Sequence, residues 1–485
     1  MPYLTIKNGE NIITVEFFGT PILRDILAEN GFAVISPCGG KGICGKCAVA
    51  VSGDISEPDG REAELGCRLS CRTILFGDAF AEIDSENYVF DVESKATVAK
   101  KSDFLGLGAA IDIGTTTVAV KLFDENGDCL GEASALNPQR SISSDVLGRI
   151  SASIEGKGNL LSGLITDCIK ELVEAVCKKI DRKSEEIARA VVSGNTAMLY
   201  LLTNRSPESI SRYPFKADTL FGTWADGSAY LTPCMNAFVG GDISCALLAS
   251  KICESERVAL LCDIGTNGEM ALWKDGRLFV TSAAAGPAFE GAEISCGCQN
   301  VVGAVNKVTV ENGELVATTV GNGKAIGING TGLIDAVASF LKLGYIDGTG
   351  YAERELVINA NGGGIKLTQD DIRALQLAKA AIYAGIEALL EETETDIESV
   401  EDFYLAGAFG SNLSISSAVS IGLIPKELAS KTKIIGNAAL DGAAMLLLDD
   451  SLIDGIEGIA KASIHIELGG SEGFYNKFIK AIDFE

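Results

Sequence analysis

Apolar and polar residues alternate at the start of the chain, which is typical of strands that have one buried face. The alternation predicts strands over residues 3–7 and 12–18, joined by an Asn-Gly turn. A helix is predicted over residues 21–29, because a threonine can cap it and a proline suits its first position. Two short apolar segments, TILF and AFAEI, follow further along and complete a small unit of strands and helix.

A longer pattern of apolar and polar positions occurs twice. Residues 109–134 and 259–282 each indicate an apolar strand ending in Asp-Ile-Gly-Thr, a tight turn, a second strand, a charged turn with glycine and a third strand. The two copies of the motif begin at Asp112 and Asp263, 151 positions apart. The repeat predicts two halves of similar fold that face each other across a cleft.

The length of 485 residues suggests three structural units at roughly 100–200 residues per domain, two of them halves of one lobed domain. Apolar residues at helical spacing predict long helices over 159–179 and 369–391. No apolar run approaches the ~20 residues that span a bilayer. The first residues lack a basic segment followed by an apolar block, so we expect no secretory signal, a cytoplasmic protein and no membrane partner.

The charge and the histidine content exclude some classes of function. A formal net charge of −26 argues against a nucleic-acid partner, because phosphate binding requires a basic surface. The single histidine, His465, leaves little room for histidine-based acid–base catalysis or a histidine-rich metal site.

Five of the fourteen cysteines lie in one short stretch, and in a long chain without a secretory signal this indicates metal ligands rather than disulfides. Cys38, Cys44 and Cys47 share a glycine-rich loop, and Cys67 and Cys71 follow. A [2Fe–2S] cluster requires four thiolates, and glycines let a loop and its N–H groups close around the sulfides. The order of strands, helix and cysteines resembles that of small β-grasp [2Fe–2S] ferredoxins.

The fourth ligand can be Cys67 or Cys71. The segment RLSCRT resembles the RLxCxT end of related ferredoxins, which favours Cys71 and leaves Cys67 as a neighbour. The first interval has five residues, as in vertebrate-type ferredoxins, where the plant-type pattern has four. A zinc site built from the same thiolates is the alternative, although structural zinc usually takes two short Cys-x2-Cys pairs.

The turn after each Asp-Ile-Gly-Thr motif can offer glycine N–H groups and threonine hydroxyls to phosphate oxygens, and the aspartate can hold Mg²⁺. Two such loops resemble the paired phosphate loops of the superfamily of acetate and sugar kinases, heat-shock chaperones and actin. The resemblance implies an α+β β-grasp ferredoxin domain followed by a two-lobed α/β ATPase with duplicated subdomains. It also implies catalytic roles for Asp112 and Asp263, and makes Asp242, in the segment FVGGDISCALLAS, a candidate base or water-positioning residue.

Two further segments put glycines at helix starts, where the backbone can approach a nucleotide closely. They are GINGTGLIDAVASFL from residue 327 and YLAGAFGSNL from residue 404, the second of which resembles the superfamily's adenosine motif. The segment GNAALDGAAMLLL from residue 436 resembles a helix that connects the lobes. The predicted nucleotide-binding residues are Gly114, Thr115, Thr116, Gly265, Thr266, Asn267, Gly330, Gly332, Gly407 and Gly410.

These signals predict a ferredoxin-like domain over residues 1–87 and an ATPase domain over residues 106–485. The segment 88–105 is predicted as a linker, because periodicity is lost there and the charges are mixed. The ATPase domain divides into lobes of about 106–255 and 256–485, each with one copy of the repeat.

An iron–sulfur unit followed by such an ATPase resembles the reductive activators of corrinoid-dependent enzymes. The segments SGNTAM, SAAAGPAFEGAEI, LTQDDIRALQLAKAAI and LAGAFGSNL are similar to that family's own sequence. The resemblance implies a homodimer that uses ATP, Mg²⁺ and a [2Fe–2S] cluster to reduce Co(II) to Co(I). The implied partners are a corrinoid protein or cobalamin-dependent methyltransferase and an upstream electron donor.

Three other functions stay open at this point. An activator of a radical dehydratase would share the ATPase fold, but its cluster is of the [4Fe–4S] type and is bound between subunits. A small-molecule kinase with a redox domain would use Asp242 to deprotonate a hydroxyl group, and an actin-like scaffold would bind nucleotide without hydrolysis. Cys296 and Cys298 can be part of a second metal site or, more often for such a pair, buried thiols.

Overall fold

The computed structural model describes residues 1–8, 11–30, 32, 34, 47–83, 100–291, 293–298, 300–407, 412–469 and 472–484. Within these ranges, none of the helices has the length and apolar character that crossing a membrane requires.

The N-terminal unit has one mixed sheet of five strands and two short helices. Its elements are β1 (Tyr3–Asn8), β2 (Asn11–Glu16), α1 (Leu23–Glu29), β3 (Ala48–Ile55), α2 (Gly60–Leu65), β4 (Arg68–Leu69) and β5 (Leu75–Ile83). The strand order is β2-β1-β5-β3-β4, and β1 runs parallel to β5 while the other pairs are antiparallel. This arrangement confirms the ferredoxin-like fold predicted from the sequence.

Helix α1 begins at Leu23, two residues later than the sequence predicts. The preceding residues are extended, because Ile22 forms a bridge with Ile74 and the Leu75 N–H donates to the Pro21 carbonyl at 3.0 Å. The two apolar segments TILF and AFAEI are joined in the structure, since the second half of TILF and all of AFAEI belong to the single strand β5. Pairing across the sheet therefore overrides the local signals at both places.

The first lobe of the ATPase contains the first copy of the repeat. Its strands are β6 (Leu107–Ile113), β7 (Thr117–Phe123), β8 (Cys129–Leu136), β9 (Ile187–Gly194), β10 (Thr223–Ala225) and β11 (Ala229–Leu231). Its helices are α3 (Val146–Ala152), α4 (Gly158–Lys179), α5 (Thr196–Leu202), α6 (Glu208–Ser211) and α7 (Gly241–Ser250). The strand order is β10-β11-β9-β6-β7-β8.

The second lobe contains the second copy and two small additional sheets. Its strands are β12 (Ala259–Ile264), β13 (Asn267–Lys274), β14 (Arg277–Ala284), β15 (Ala304–Glu311), β16 (Glu314–Thr319), β17 (Gly327–Ile328), β18 (Leu356–Ala360), β19 (Gly363–Leu367), β20 (Asp402–Gly407), β21 (Thr432–Gly436) and β22 (Ile464–His465). Its helices are α8 (Gly330–Lys342), α9 (Gln369–Glu392), α10 (Ile415–Ser420), α11 (Ala438–Leu448), α12 (Ile453–Ala462) and α13 (Glu472–Lys480). The main sheet has the order β21-β20-β12-β13-β14-β22.

The two main sheets have the same topology over five strands. Strands β11-β9-β6-β7-β8 of the first lobe correspond to β21-β20-β12-β13-β14 of the second. In both, the first strand of the repeat pairs antiparallel with the second and parallel with a strand from later in the lobe. The predicted duplication is therefore confirmed, and the likeness between the two copies of the sequence reflects two like sheets.

Helices α7 and α11 pack against each other between the two sheets. The backbones approach so closely at Gly442 that a Cβ atom there would lie 2.0 Å from the Cys245 carbonyl oxygen. Apolar residues of both helices share one buried cluster with residues of β6 and β12. Helix α11, which the sequence predicts to connect the lobes, therefore forms a common layer between them together with α7.

The last residues of the predicted linker pack against the end of α11. The Ser102 hydroxyl donates to the Leu447 carbonyl at 2.7 Å, and the Lys101 ammonium lies 2.6 Å from the Asp449 carboxylate. Phe104 is buried. Residues 84–99, which include most of that predicted linker, lie outside the described ranges.

Candidate functional site

The two phosphate loops follow β6 and β12 and have closely similar backbones. The Gly114 N–H donates to the Thr117 carbonyl at 2.9 Å, and the Gly265 N–H donates to the Asn267 carbonyl at 3.0 Å. The first loop is one residue longer, because Ile113 pairs with Val118. In the second copy the equivalent isoleucine pairs with a residue only four positions further along.

This difference in loop length changes what faces each aspartate. Asp112 pairs with Ala119 across the strands, whereas Asp263 pairs with Glu269. Glu269 is buried and its Oε1 atom has no hydrogen-bond partner among the described residues. Glu269 was not predicted from the sequence, because its pairing with Asp263 depends on the length of the turn between the two strands.

The three predicted catalytic aspartates, Asp112, Asp242 and Asp263, lie within electrostatic reach of one another. Burial, with the Asp242 charge as a second cause, raises the pKa of Asp112 to about 7, while a hydrogen bond from Asn437 opposes the rise. Burial and then the Asp242 and Asp112 charges raise the pKa of Asp263 to about 8. Such mutual repulsion is typical of carboxylates that share a cation or a proton.

Asp242 lies in the first turn of α7, where its Oδ1 atom accepts a hydrogen bond from the Ile243 N–H at 2.9 Å. Burial raises the pKa of Asp242 and also that of Glu269, whose carboxylate feels the Asp242 charge. Among the described residues, no three carboxylate, thiol or imidazole groups converge as a preformed metal site.

Glu290 joins the two phosphate loops. It ends a 3-10 turn, Pro287–Glu290, and its carboxylate accepts hydrogen bonds from the hydroxyls of Thr116 in the first loop and Thr266 in the second. The turn is fixed to the second loop by a bond from the Gly286 N–H to the Thr266 carbonyl at 2.9 Å. In the sequence, this segment is notable only for its similarity to the family. Glu290 was therefore not predicted as a residue of the cleft.

Helix α9 anchors the segment that follows Glu290. Asp371, in its first turn, accepts hydrogen bonds from the N–H and the hydroxyl of Ser295, both at 2.6 Å, while Thr368 caps the helix. The family-like segment at the start of α9 therefore has a structural role. Cys296 and Cys298 lie next to Ser295, and the Cys298 N–H donates to the Ile328 carbonyl at 2.9 Å. A second metal site at these two cysteines stays untested.

Two buried arginines lie behind the first loop. Arg149 is fully buried and its Nη2 atom donates to the Thr115 carbonyl at 2.6 Å, so burial lowers the pKa of this guanidinium to about 9. Arg140 belongs to the 3-10 turn Pro138–Ser141 and is 6% exposed. Asn137, just before that turn, binds the first loop through the Thr116 carbonyl at 2.8 Å and the Gly114 carbonyl at 2.9 Å.

The segment SGNTAM also contacts the first loop. Strand β9 places Ser193 beside Asp112, and the Asn195 amide donates to the Thr115 hydroxyl at 3.2 Å. Asn195 in addition caps α5 by accepting from the Met198 N–H at 3.0 Å. One side chain thus links a helix start to the phosphate loop.

The predicted adenosine motif starts beside the second loop. Gly407 ends β20 with a φ of +107°, and a Cβ there would lie 2.6 Å from Asp263 Oδ1 and 2.4 Å from the Ile264 carbonyl. Only glycine suits this position. Gly410 lies outside the described residues.

Gly330 and Gly332, at the start of α8, face protein backbone. Cβ atoms there would lie 1.9 Å from the Phe289 carbonyl and 2.2 Å from the Val305 carbonyl. These two glycines therefore allow close packing of α8 beside the turn that carries Glu290. Their predicted contact with nucleotide stays a prediction.

Two of the predicted cluster ligands converge in the N-terminal unit. The sulfur atoms of Cys47 and Cys71 are 3.2 Å apart and buried, with Leu69 in the same cluster, whereas Cys67 is partly exposed. This proximity is what two ligands of one iron atom require, so the donor set fits a cluster and favours Cys71 as the fourth ligand. Cys38 and Cys44 lie outside the described residues.

Family models match the chain in three consecutive parts. A 2Fe-2S iron-sulfur cluster binding domain matches residues 6–75, the RACo middle region matches residues 107–255, and the C-terminal domain of RACo, described as the ASKHA domain, matches residues 257–485. The cluster-binding and ATPase units predicted from the sequence are therefore confirmed.

Similar proteins match most of this chain. The corrinoid activation enzyme RamQ of Eubacterium limosum is 31% identical over 412 residues, which cover 77% of this chain and 69% of that protein. The [Co(II) methylated amine-specific corrinoid protein] reductase of Methanosarcina barkeri is 26% identical over 422 residues, covering 78% of this chain and 77% of that protein. The solved structure of a reductive activator for corrinoid, iron–sulfur protein aligns over 100% of this chain and 98% of its own, with 26% identity and a TM-score of 0.74. The chain therefore belongs to the RACo family of reductive activators of corrinoid proteins.

Proposed function

We propose that this protein hydrolyses ATP and uses an iron–sulfur cluster to reduce the Co(II) corrinoid of a partner protein to Co(I). The observation that carries the proposal is the combination, in one chain of this family, of a buried thiol pair and a cleft with two joined phosphate loops. A protein with one of the other three functions considered above would not require both of these features, and the family match does not support those functions.

Cys38, Cys44, Cys47 and Cys71 would hold a [2Fe–2S] cluster. When bound, such a cluster accepts one electron from an upstream donor and gives it to an acceptor. The chain contributes burial: Cys47 is 1% exposed and Cys71 is 5% exposed. Exclusion of water around the ligand sulfur atoms, together with hydrogen bonds to sulfur, affects the reduction potential of such clusters.

In the ATPase domain, Asp112 and Asp263 would hold Mg²⁺ on the phosphates of ATP, and Asp242 would orient the attacking water. The high pKa values of Asp112 and Asp263 indicate a site with excess negative charge, which a divalent cation would neutralise. The loop hydroxyls and N–H groups would bind phosphate oxygens. The residues proposed for nucleotide contact are Gly114, Thr115, Thr116, Gly265, Thr266, Asn267, Gly330, Gly332, Gly407 and Gly410.

ATP would be needed where the Co(II)/Co(I) couple of the partner has a lower potential than the cluster, because the electron transfer is then uphill. Plant-type [2Fe–2S] ferredoxins have potentials of about −400 mV, and each ~59 mV of an uphill one-electron step lowers the equilibrium constant about tenfold. The lobes offer a means of coupling, since α7 and α11 pack between both sheets and start beside the carboxylates. Asp242 lies in the first turn of α7, and α11 begins just after Asn437. Closure of the lobes on ATP would favour the partner complex in which transfer occurs.

The partner is a corrinoid protein, and we propose that its methyltransferase system, an upstream electron donor and a second copy of this chain complete the assembly. The test is formation of Co(I) by absorbance, with reduced protein, the cognate corrinoid protein and Mg·ATP. We expect Cys47→Ser and Asp263→Ala each to abolish it, while the exposed Cys129→Ser control retains it. Equal Co(I) formation by wild type and Asp263→Ala would contradict the proposal.

A further inference from the structure

Arg140 is a buried cation whose hydrogen-bonding capacity is only partly used. Its side chain is 6% exposed, and its Nη1 atom has no hydrogen-bond partner in the described part of the chain. Burial lowers the pKa of this guanidinium. A buried charge normally occurs with a partner, because desolvation without one costs several kcal/mol.

The groups around Arg140 identify the kind of ligand that would compensate it. Glu290 exerts an attractive charge on Arg140, and Arg149, the other buried cation, lies within electrostatic reach of both. Glu290 itself accepts from Thr116 and Thr266, one hydroxyl from each phosphate loop. The position between the loops thus already accommodates a carboxylate that accepts from two hydroxyl donors and lies within electrostatic reach of a guanidinium.

We propose that Arg140 binds the terminal phosphate of ATP between the two loops, an assignment that rests on the proposed ATP site. A phosphate oxygen accepts from hydroxyls as a carboxylate does, so the terminal phosphate competes with Glu290 for Thr116 and Thr266. Arg140 supplies the charge that favours the phosphate, and its planar guanidinium can donate two parallel hydrogen bonds to it.

The attachment of the Arg140 turn to the first loop explains why Arg140 would bind the terminal phosphate rather than the rest of the nucleotide. Its turn follows Asn137, which binds both the Gly114 and Thr116 carbonyls of the first loop. The adenosine motif, by contrast, starts at Gly407 beside the second loop. Arg140 therefore moves with the first lobe. It would bind a phosphate that loops of both lobes contact. Because ADP lacks this phosphate, closure of the lobes would depend on ATP.

The test compares nucleotide binding by the full chain, with its cluster, for wild type, Arg140→Gln and Arg140→Lys. Titration calorimetry with Mg²⁺ measures adenylyl imidodiphosphate, a non-hydrolysable ATP analogue, and ADP. We expect Arg140→Gln to weaken binding of the analogue about ten- to a hundredfold and that of ADP by less than about twofold, with Arg140→Lys between. The matched control is Arg189→Gln, whose guanidinium pairs with Asp450 and stacks on Trp224 in the same lobe, and it should change neither.

A thermal denaturation midpoint without nucleotide separates ligand binding from a structural role. Because Arg140→Gln removes a buried charge whose Nη1 atom has no hydrogen-bond partner among the described residues, its midpoint should equal or exceed that of the wild type. A lower midpoint with equal loss of both nucleotides, or unchanged affinity for the analogue, would overturn the assignment. Failure of the wild type to bind either nucleotide would instead overturn the proposed ATP site, on which the assignment rests.

Discussion

The Thr266 hydroxyl lies 3.0 Å from both carboxylate oxygens of Glu290. The Thr116 hydroxyl of the other phosphate loop donates to the same carboxylate, so one acidic side chain joins the two halves of the cleft. A nucleotide bound between these loops, as proposed, would meet a negative charge that occupies the threonine hydroxyls of both loops. Competition between Glu290 and phosphate is therefore built into the site.

The first prediction concerns this competition. Glu290→Gln removes the charge and keeps the shape, so the affinity for the non-hydrolysable ATP analogue should rise about two- to tenfold. The measurement is titration calorimetry with Mg²⁺. Glu293→Gln, on the same segment, is the matched control and should leave the affinity within about twofold. Weaker binding by Glu290→Gln would show that Glu290 assists phosphate binding instead of opposing it.

The second prediction concerns the carboxylate cluster and pH. The pKa of Asp112 is raised to about 7 and that of Asp263 to about 8, from an ordinary value of 3.8. Between about pH 4 and pH 8 the folded state therefore holds more protons than the unfolded state, so the free energy of unfolding falls as pH rises through this window. With a chelator present, the thermal midpoint should fall from pH 5 to pH 8.

Asp263→Asn should flatten this pH dependence and raise the free energy of unfolding by roughly 1–3 kcal/mol at pH 8, while it abolishes ATP hydrolysis. Asp167→Asn, which changes an exposed side chain on α4, is the matched control. An unchanged pH profile for Asp263→Asn would mean that the aspartate ionises normally in the folded chain.

The third prediction distinguishes the two possible fourth ligands of the cluster. Cys71→Ser should lose most of the visible absorbance and the electron paramagnetic resonance signal of the reduced [2Fe–2S] centre, because the Cys71 sulfur lies 3.2 Å from that of Cys47. Cys67→Ser, four residues away and partly exposed, should retain both signals. The opposite result would assign the ligand to Cys67.

The fourth prediction concerns the layer between the lobes. Gly442→Ala would place a methyl group 2.0 Å from the Cys245 carbonyl, so α7 and α11 must separate. We expect a loss of about 2–4 kcal/mol in the free energy of unfolding and reduced ATP hydrolysis. Gly455→Ala, in α12 with no heavy atom within 4 Å of the new methyl group, should be neutral or slightly stabilising. Equal stability of the two variants would contradict this packing.

The features that could be predicted from the sequence are those that local order determines. Asp112 and Asp263 stand out because the same motif recurs in the same strand context. Cys47 stands out because it shares a glycine-rich loop with two other cysteines, and Cys71 because its segment resembles the end of related ferredoxins. The residues that were missed depend on distant contacts. Glu290 lies 174 positions from Thr116, which it contacts.

Glu269 and Arg140 were missed for related reasons. Glu269 faces Asp263 only because the second loop is one residue shorter than the first. Arg140 lies in a turn without periodicity, and its burial follows from the packing of the first lobe. The start of α1 was predicted two residues early because the bridge between Ile22 and Ile74 joins segments far apart in the chain. Sequence periodicity contains none of this information.

We propose that ATP hydrolysis drives electron transfer from the iron–sulfur cluster of this chain to the corrinoid of its partner. The most direct measurement follows Co(I) absorbance and phosphate release together, with reduced protein, the cognate corrinoid protein and Mg²⁺. We expect Co(I) to accumulate with ATP and in step with phosphate release, and not to accumulate with ADP or without nucleotide. Co(I) formation at the same rate and yield without ATP would contradict it.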